Sequence, residues 1–373
     1  MRGKSRINNT RRPLSRNDLV DHMSNNAIAG PPSEVSVRPI FVVGAARSGT
    51  TMLRYMLSSH PRIYIPPESN FIPRFFHQAH QPLSRERAIQ TMRALHGYRM
   101  FFRDWHGPRP DPEGFVDSLP DLLPATFLDH LYGEYARQYG ASRWGDKTPI
   151  YTEHIKLIAG IFPQAQFIHI IRDGRDVALS MRQAYAGLRF FYMDVYYAAC
   201  TWKRRIRKTR ADGAGLGAGR YLEVHYEQLA SQPEQHLRRI CEFLNEPYSP
   251  AMAEPHRTAR ERHHSKGIHA ATRRAPNTSS AGHWRRDMSP ADARIFQAAA
   301  GDLLNELGYE TAELGAMSVR EALRYTTLSA KYTLIEAGRR AAQSTGVFHP
   351  TQLLSKVLKP RRQLRRIVPH VTT

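Results

Sequence analysis

Two short stretches of the chain have residue types and spacing suited to holding phosphate. The first is Gly44-Ala45-Ala46-Arg47-Ser48-Gly49-Thr50-Thr51. Its glycines permit close backbone approach, and a strand-to-helix turn aims backbone N–H groups and the positive helix end at one spot. The hydroxyls of Ser48, Thr50 and Thr51 add donors. The spacing nearly fits G-x-x-x-x-G-K-[ST], but Thr50 stands where the lysine belongs and the cation, Arg47, sits inside the loop. Such a loop is poorly equipped to work on a β,γ-phosphate, and no apolar strand ends cleanly in a magnesium-binding aspartate. The second stretch is Arg172-Asp173-Gly174-Arg175-Asp176, with Ser180 following. A guanidinium fork pairs with phosphate oxygens through two planar hydrogen bonds.

Strands and helices that carry these turns can be read along the chain. Pro39-Ile40-Phe41-Val42-Val43 ends in a glycine, as a buried parallel strand should. Met52, Leu53, Met56 and Leu57 then share one helical face, ended by His60-Pro61. Ile63-Tyr64-Ile65 reads as a short strand. Phe127, Leu128, Leu131, Tyr132 and Tyr135 mark a helix, and a strand ends near Lys147. Pro149 opens a helix from Ile150, with a stripe at His154, Ile155, Ile158, Ile161 and Phe162. Phe167 to Ile171 is a second buried strand and Leu222 to His225 a third. Leu237, Ile240, Cys241 and Leu244 mark a helix, as do Ile295, Phe296, Ala299, Leu303, Leu304 and Leu307. Strands alternating with helices predict a three-layer α/β fold, a parallel sheet with helices on both faces and a P-loop-NTPase-like nucleotide site. Residues 1–37 read as a disordered basic arm, 38–315 as one domain with a helical insertion at about 74–125, and 316–373 as a basic, partly helical extension.

Composition narrows the function classes. Lys+Arg 54 against Asp+Glu 33 gives a formal net charge of +21. That favours anionic partners without choosing among nucleic acid, acidic membrane and phosphate-bearing ligands. Cys200 and Cys241, the only cysteines, form no C-x-x-C pair, which argues against a disulfide framework or a thiolate zinc site. His256, His263, His264 and His269 lack an accompanying carboxylate or cysteine frame and read as a surface loop, so no metal is expected. No apolar run approaches the length of a membrane span, and the basic N-terminus has no apolar segment behind it. A cytoplasmic protein is the expectation.

Arg47-Ser48-Gly49-Thr50-Thr51, its apolar helix and His60-Pro61 resemble the 5′-phosphosulfate loop of sulfotransferases that use 3′-phosphoadenosine 5′-phosphosulfate (PAPS). The arginine variant is similar to the bacterial branch and to tyrosylprotein sulfotransferases. Arg172 and Ser180 match the family's 3′-phosphate signature. Gly282-His283-Trp284-Arg285-Arg286 resembles its G-x-W-[KR] segment, which implies 3′-phosphate contacts by Gly282, Trp284 and Arg285. Val224-His225-Tyr226-Glu227-Gln228-Leu229 resembles a segment whose tyrosine lies near the adenine, here Tyr226. Glu68, in Pro66-Pro67-Glu68-Ser69-Asn70, matches a glutamate that acts as base; His77, His80 and His106 keep open the histidine base of cytosolic relatives. Asp146-Lys147-Thr148-Pro149 resembles a segment whose lysine reaches the transferring sulfuryl group, with Arg47 on the other side.

The resemblance spans about residues 39–288. It implies sulfuryl transfer from PAPS to a hydroxyl of a carbohydrate, lipid, small molecule or peptidyl tyrosine, which requires a base and cations or N–H groups around the transferring group. Two other classes fit parts of the pattern: a P-loop nucleotide kinase or NTPase, disfavoured by Thr50, and a non-catalytic polyanion binder suggested by the charge. No signature of a specific nucleic-acid module is present. The basic ends suit peripheral contact with anionic lipid or polysaccharide.

Overall fold

A computed structural model describes residues 38–184, 194–217, 219–258 and 281–344. The arm over 1–37, the tail beyond 344, and His263, His264 and His269 lie outside the described residues. Five strands form one parallel sheet: β1 (Ile40–Val43), β2 (Ile63–Tyr64), β3 (Arg143–Lys147), β4 (Gln166–Ile171) and β5 (Tyr221–His225), in the order β2-β3-β1-β4-β5. The longer helices, numbered in chain order, are α1 (Thr50–Ser58), α2 (Arg85–Leu95), α3 (Pro124–Gln138), α4 (Ile155–Ile161), α5 (Gly174–Ala184), α6 (Val195–Ala214), α7 (Pro233–Leu244), α8 (Pro290–Glu306) and α9 (Val319–Ser344).

β1 is apolar throughout because both of its faces are covered. Phe41 and Val43 join Trp144, Phe167 and the α3 and α4 side chains Phe127, Leu131, Ile155 and Ile158 in one buried cluster. Ile40 and Val42 point the other way, into a cluster with Leu53 and Met56 of α1 and Leu237 and Ile240 of α7. The period of two along the strand thus divides the core into the two outer layers, and the three-layer α/β expectation is borne out.

The strand order puts the topological switch at β1. The chain leaves β1 for β2 and β3 on one side, then crosses to β4 and β5 on the other. The C-terminal ends of all strands face one edge, and the crevice beside the central strand is where ligands bind in open parallel sheets.

The segment at 74–125 packs onto the main core: Ile89, Met92 and Leu95 of α2 lie with Phe71, Phe76, Phe101 and Phe127 in the cluster that holds Phe41. Its pattern is weak because short helices and 3₁₀ turns alternate there, with α2 started by a Ser84 side-chain cap on the Arg87 N–H. The helix expected from Ile150 is a 3₁₀ turn, Pro149–Glu153, and α4 begins only at Ile155.

Candidate active site

The loop after β1 is shaped by its two glycines. A Cβ on Gly44 would stand 2.6 Å from the Ile170 carbonyl oxygen, so β1 and β4 can approach there only with glycine. Gly49 has φ +95, and a Cβ would stand 2.4 Å from the Tyr226 ring. Between them Arg47 takes φ 72, a left-handed conformation that costs a non-glycine residue of order 1–3 kcal/mol. Such strain is typical of ligand loops. The Ser48 hydroxyl is fully buried, and its oxygen has no hydrogen-bond partner. A buried hydroxyl without a partner costs about 1–3 kcal/mol, and an anion seated in the loop would supply the missing acceptor.

The second turn touches the first. Arg172, at the end of β4, donates from Nη1 to the Arg47 carbonyl oxygen at 2.9 Å, and its guanidinium lies 4.7 Å from the centre of the Tyr226 ring. Its own carbonyl accepts from Trp202 Nε1 at 3.0 Å. Arg47 Nε donates to Ser180 Oγ at 3.0 Å. Arg47, Ser48, Gly49, Arg172, Ser180 and Tyr226 are therefore brought together, although up to 179 positions separate them in sequence. Thr50 and Thr51 open α1, and Thr51 Oγ1 accepts from Lys147 Nζ at 3.3 Å.

The segment around Trp284 is fastened to the same turn. The Asp176 carboxylate accepts from the Gly282 N–H at 2.7 Å and the Trp284 N–H at 2.9 Å. Trp284 covers the Arg175 guanidinium at 3.6 Å, which is itself held by Asp173 through two hydrogen bonds of 3.0 and 2.7 Å. Arg285 pairs with Glu310 and is half exposed. Glu227, next to Tyr226, accepts the Asp173 N–H at 2.9 Å. Burial raises the Glu227 and Asp176 pKa values.

On the other side of β1, Glu68 and Lys147 meet at 2.5 Å. The Lys147 side chain is only 4% exposed and that of Glu68 is 32% exposed, so the carboxylate is the solvent-facing partner. Burial lowers the Lys147 pKa, with the Glu68 charge pulling the other way. The Glu68 turn is anchored from two sides. Buried Arg54 of α1 donates to the Ile65 and Pro66 carbonyls at 2.8 and 2.9 Å. The Ser69 N–H donates to Thr148 Oγ1 at 3.2 Å, and the hydroxyls of Ser69 and Tyr151 meet at 2.6 Å. His77 and His80 are exposed on the segment before α2, and His106 lies 4.8 Å from the Tyr139 ring. Among the described residues, no cluster of His, Cys, Asp and Glu could hold a metal ion.

Sequence reasoning passed over Arg54, Asp176 and Glu227. Arg54 reads as an ordinary cation on a helix, and only its burial reveals the anchor. Asp176 sits inside the second turn and could have been found by asking what fixes a loop that opens on a glycine at 282.

A loop and a turn of these types on adjacent parallel strands are joined by one match to a known family. A family model described as the sulfotransferase family matches residues 39–250. The chain belongs to the sulfotransferase family. Protein-tyrosine sulfotransferase 1 of Danio rerio is 31% identical over 214 residues, covering 57% of this chain and 54% of that protein. Protein-tyrosine sulfotransferase 2 of Gallus gallus is 29% identical over 211 residues, with 55% and 50% covered. The chain thus spans about half the length of these relatives. Among solved structures, the sulfotransferase domain from the curacin biosynthetic pathway superposes with a TM-score of 0.52 at 21% identity, over 74% of this chain and 99% of that one. The sulfotransferase domain of the Synechococcus PCC 7002 olefin synthase gives 0.51 at 23% identity, over 76% and 98%. These likenesses show a sulfotransferase fold. Among the described residues no helix is long and apolar enough to cross a membrane.

Proposed function

We propose that this sulfotransferase-family chain transfers the sulfuryl group of PAPS to a hydroxyl acceptor, leaving adenosine 3′,5′-bisphosphate. The observation that carries the reading is the 2.9 Å hydrogen bond from Arg172 to the Arg47 carbonyl, which makes one continuous site of two phosphate-type turns. The partnerless Ser48 hydroxyl and the glycine cradle fit an anion in the first turn. In this reading Arg47, Ser48, Gly49, Thr50 and Thr51 hold the 5′-phosphosulfate. Arg172, Ser180, Gly282, Trp284 and Arg285 hold the 3′-phosphate, and Tyr226 lies toward the adenine. Bound PAPS supplies an activated sulfuryl group on a phosphate leaving group.

The chain's own residues supply the rest. Glu68, the exposed member of its pair, takes the acceptor proton as the acceptor oxygen bonds to sulfur. Lys147 and Arg47 flank the charge that builds on the bridging oxygen as its bond to sulfur breaks. A lysine kept from water by burial is a strong electrostatic partner, because the low local dielectric magnifies its field. The acceptor to try first is a peptidyl tyrosine, because the similar proteins of Danio rerio and Gallus gallus are named protein-tyrosine sulfotransferases.

Calorimetry with adenosine 3′,5′-bisphosphate tests the reading. The wild type is expected to bind saturably, and Arg172→Ala and Arg47→Ala to bind at least about tenfold more weakly, as expected when a charged hydrogen bond is lost. A folded wild type that binds ATP in place of the bisphosphate would return the chain to the nucleotide-kinase class.

A further inference from the structure

The loop that carries Gly282 and Trp284 presents a residue with no role so far. His283 is tucked between them, its side chain 13% exposed. Its Nε2 lies 3.5 Å from Arg172 Nη2 and 3.5 Å from Asp176 Oδ1, and its Nδ1 lies 3.3 Å from Asp287 Oδ2. The imidazole therefore touches the guanidinium assigned to the 3′-phosphate and two carboxylates, from the end of β4, from α5 and from the turn at 284–287.

These charges do not balance for an anionic ligand. Asp176 is fixed in place by the Gly282 and Trp284 N–H groups. Asp287 is pushed down to about 2 by its hydrogen bond with Arg286, helped by His283, and so stays anionic. A phosphate beside Arg172 would meet the buried Asp176 carboxylate at close range, and like charges in such a site are costly. An imidazolium and a guanidinium at 3.5 Å also repel each other, unless one anion accepts from both.

We propose that His283 is a phosphate-binding residue of this site, and that its imidazolium lets a 3′-phosphate sit beside the Asp176 carboxylate. The inference rests on the PAPS reading above. It makes nucleotide affinity depend on the protonation of this ring. The protonated ring is the binding form, so affinity through this residue falls as pH rises.

The test compares wild type with His283→Gln between about pH 6 and about pH 8. The probes are adenosine 3′,5′-bisphosphate and adenosine 5′-monophosphate, measured by displacement. The phosphate's own second ionisation, near pH 6, is common to both proteins, so the difference between their profiles isolates the imidazole. At the acid end His283→Gln is expected to bind the bisphosphate about tenfold more weakly than wild type. The two should converge at the alkaline end, and the monophosphate, which has no 3′-phosphate, should not distinguish them. Equal profiles for wild type and His283→Gln would overturn the proposal. So would an equal loss for both nucleotides, which would mark a structural residue. A wild type that binds neither nucleotide sinks the PAPS reading itself, and the proposal with it.

Discussion

Lys147 and Glu68 form a pair whose members are unequally wet, and this inequality predicts how each should behave when changed. Glu68→Gln keeps the shape of the turn but removes the proton acceptor. It is expected to lower kcat by about 10²–10⁴-fold while leaving bisphosphate binding near wild type; equal losses in both would show that Glu68 is needed for the fold of the site rather than for proton transfer. For Lys147 the sign of the pH effect follows from burial. Its pKa is lowered, so the cation is lost at a lower pH than for an ordinary lysine. On the proposed mechanism the activity declines there as pH rises. Lys147→Arg, charged at every accessible pH, should move that alkaline limb upward. A limb that stays in place in Lys147→Arg would assign it to another group. The two turns proposed to hold phosphate stand out in the sequence because each is local: strand, glycine, cation and hydroxyl lie within ten or so positions. The contact between Glu68 and Lys147 was not, since 79 positions separate them and only the pairing of β2 with β3 closes that distance.

At the scale of elements, each strand delivers one part of the candidate site. β1 leads into the glycine loop and β3 ends in Lys147, while Glu68 follows β2, Arg172 follows β4 and Tyr226 follows β5. The registers that pair Val42 with Lys147 and Ile171 with His225 hold these ends level. Gly49 is where two elements meet most tightly. Gly49→Ala places a methyl at φ +95 against the Tyr226 ring and is expected to cost about 2 kcal/mol or more of stability, read as a drop in the urea midpoint. Tyr226→Ala should recover part of it by removing the clash; an additive double variant would show that the strain is purely one of backbone. Strand identity came through in the sequence because buried parallel strands are unbroken apolar runs. α6 did not, because Lys203, Arg204, Arg205, Arg207 and Lys208 interrupt its apolar stripe. In the structure they pair with Asp302 of α8, Glu153 of the 3₁₀ turn and Asp212 of α6 itself, so a helix that looks like a cationic surface in sequence is an ion-paired wall against α8 and the turn at Pro149–Glu153.

For the whole molecule, that wall bears on the net charge of +21. The densest basic run among the described residues, the five cations at 203, 204, 205, 207 and 208, shares only three carboxylates and keeps an excess of positive charge, and pairs of this kind add little stability. Binding of sequence-blind DNA by the full chain should therefore fall steeply with added salt, as loose counterion release dictates. Bisphosphate binding, resting on the proposed two-phosphate site, should survive the same salt. Parallel loss of both would indicate that the nucleotide is held by diffuse charge alone. The strand order has a further consequence. On the proposed reading the groups that grip the nucleotide's 3′ end come from β4 onward, whereas Glu68, Lys147 and the aromatic-rich helices between them are encoded in one uninterrupted block from β2 to β3. The central strand is the seam between the two. A block of that kind can be exchanged as a cassette between related chains, giving hybrids that keep one donor and inherit a different acceptor.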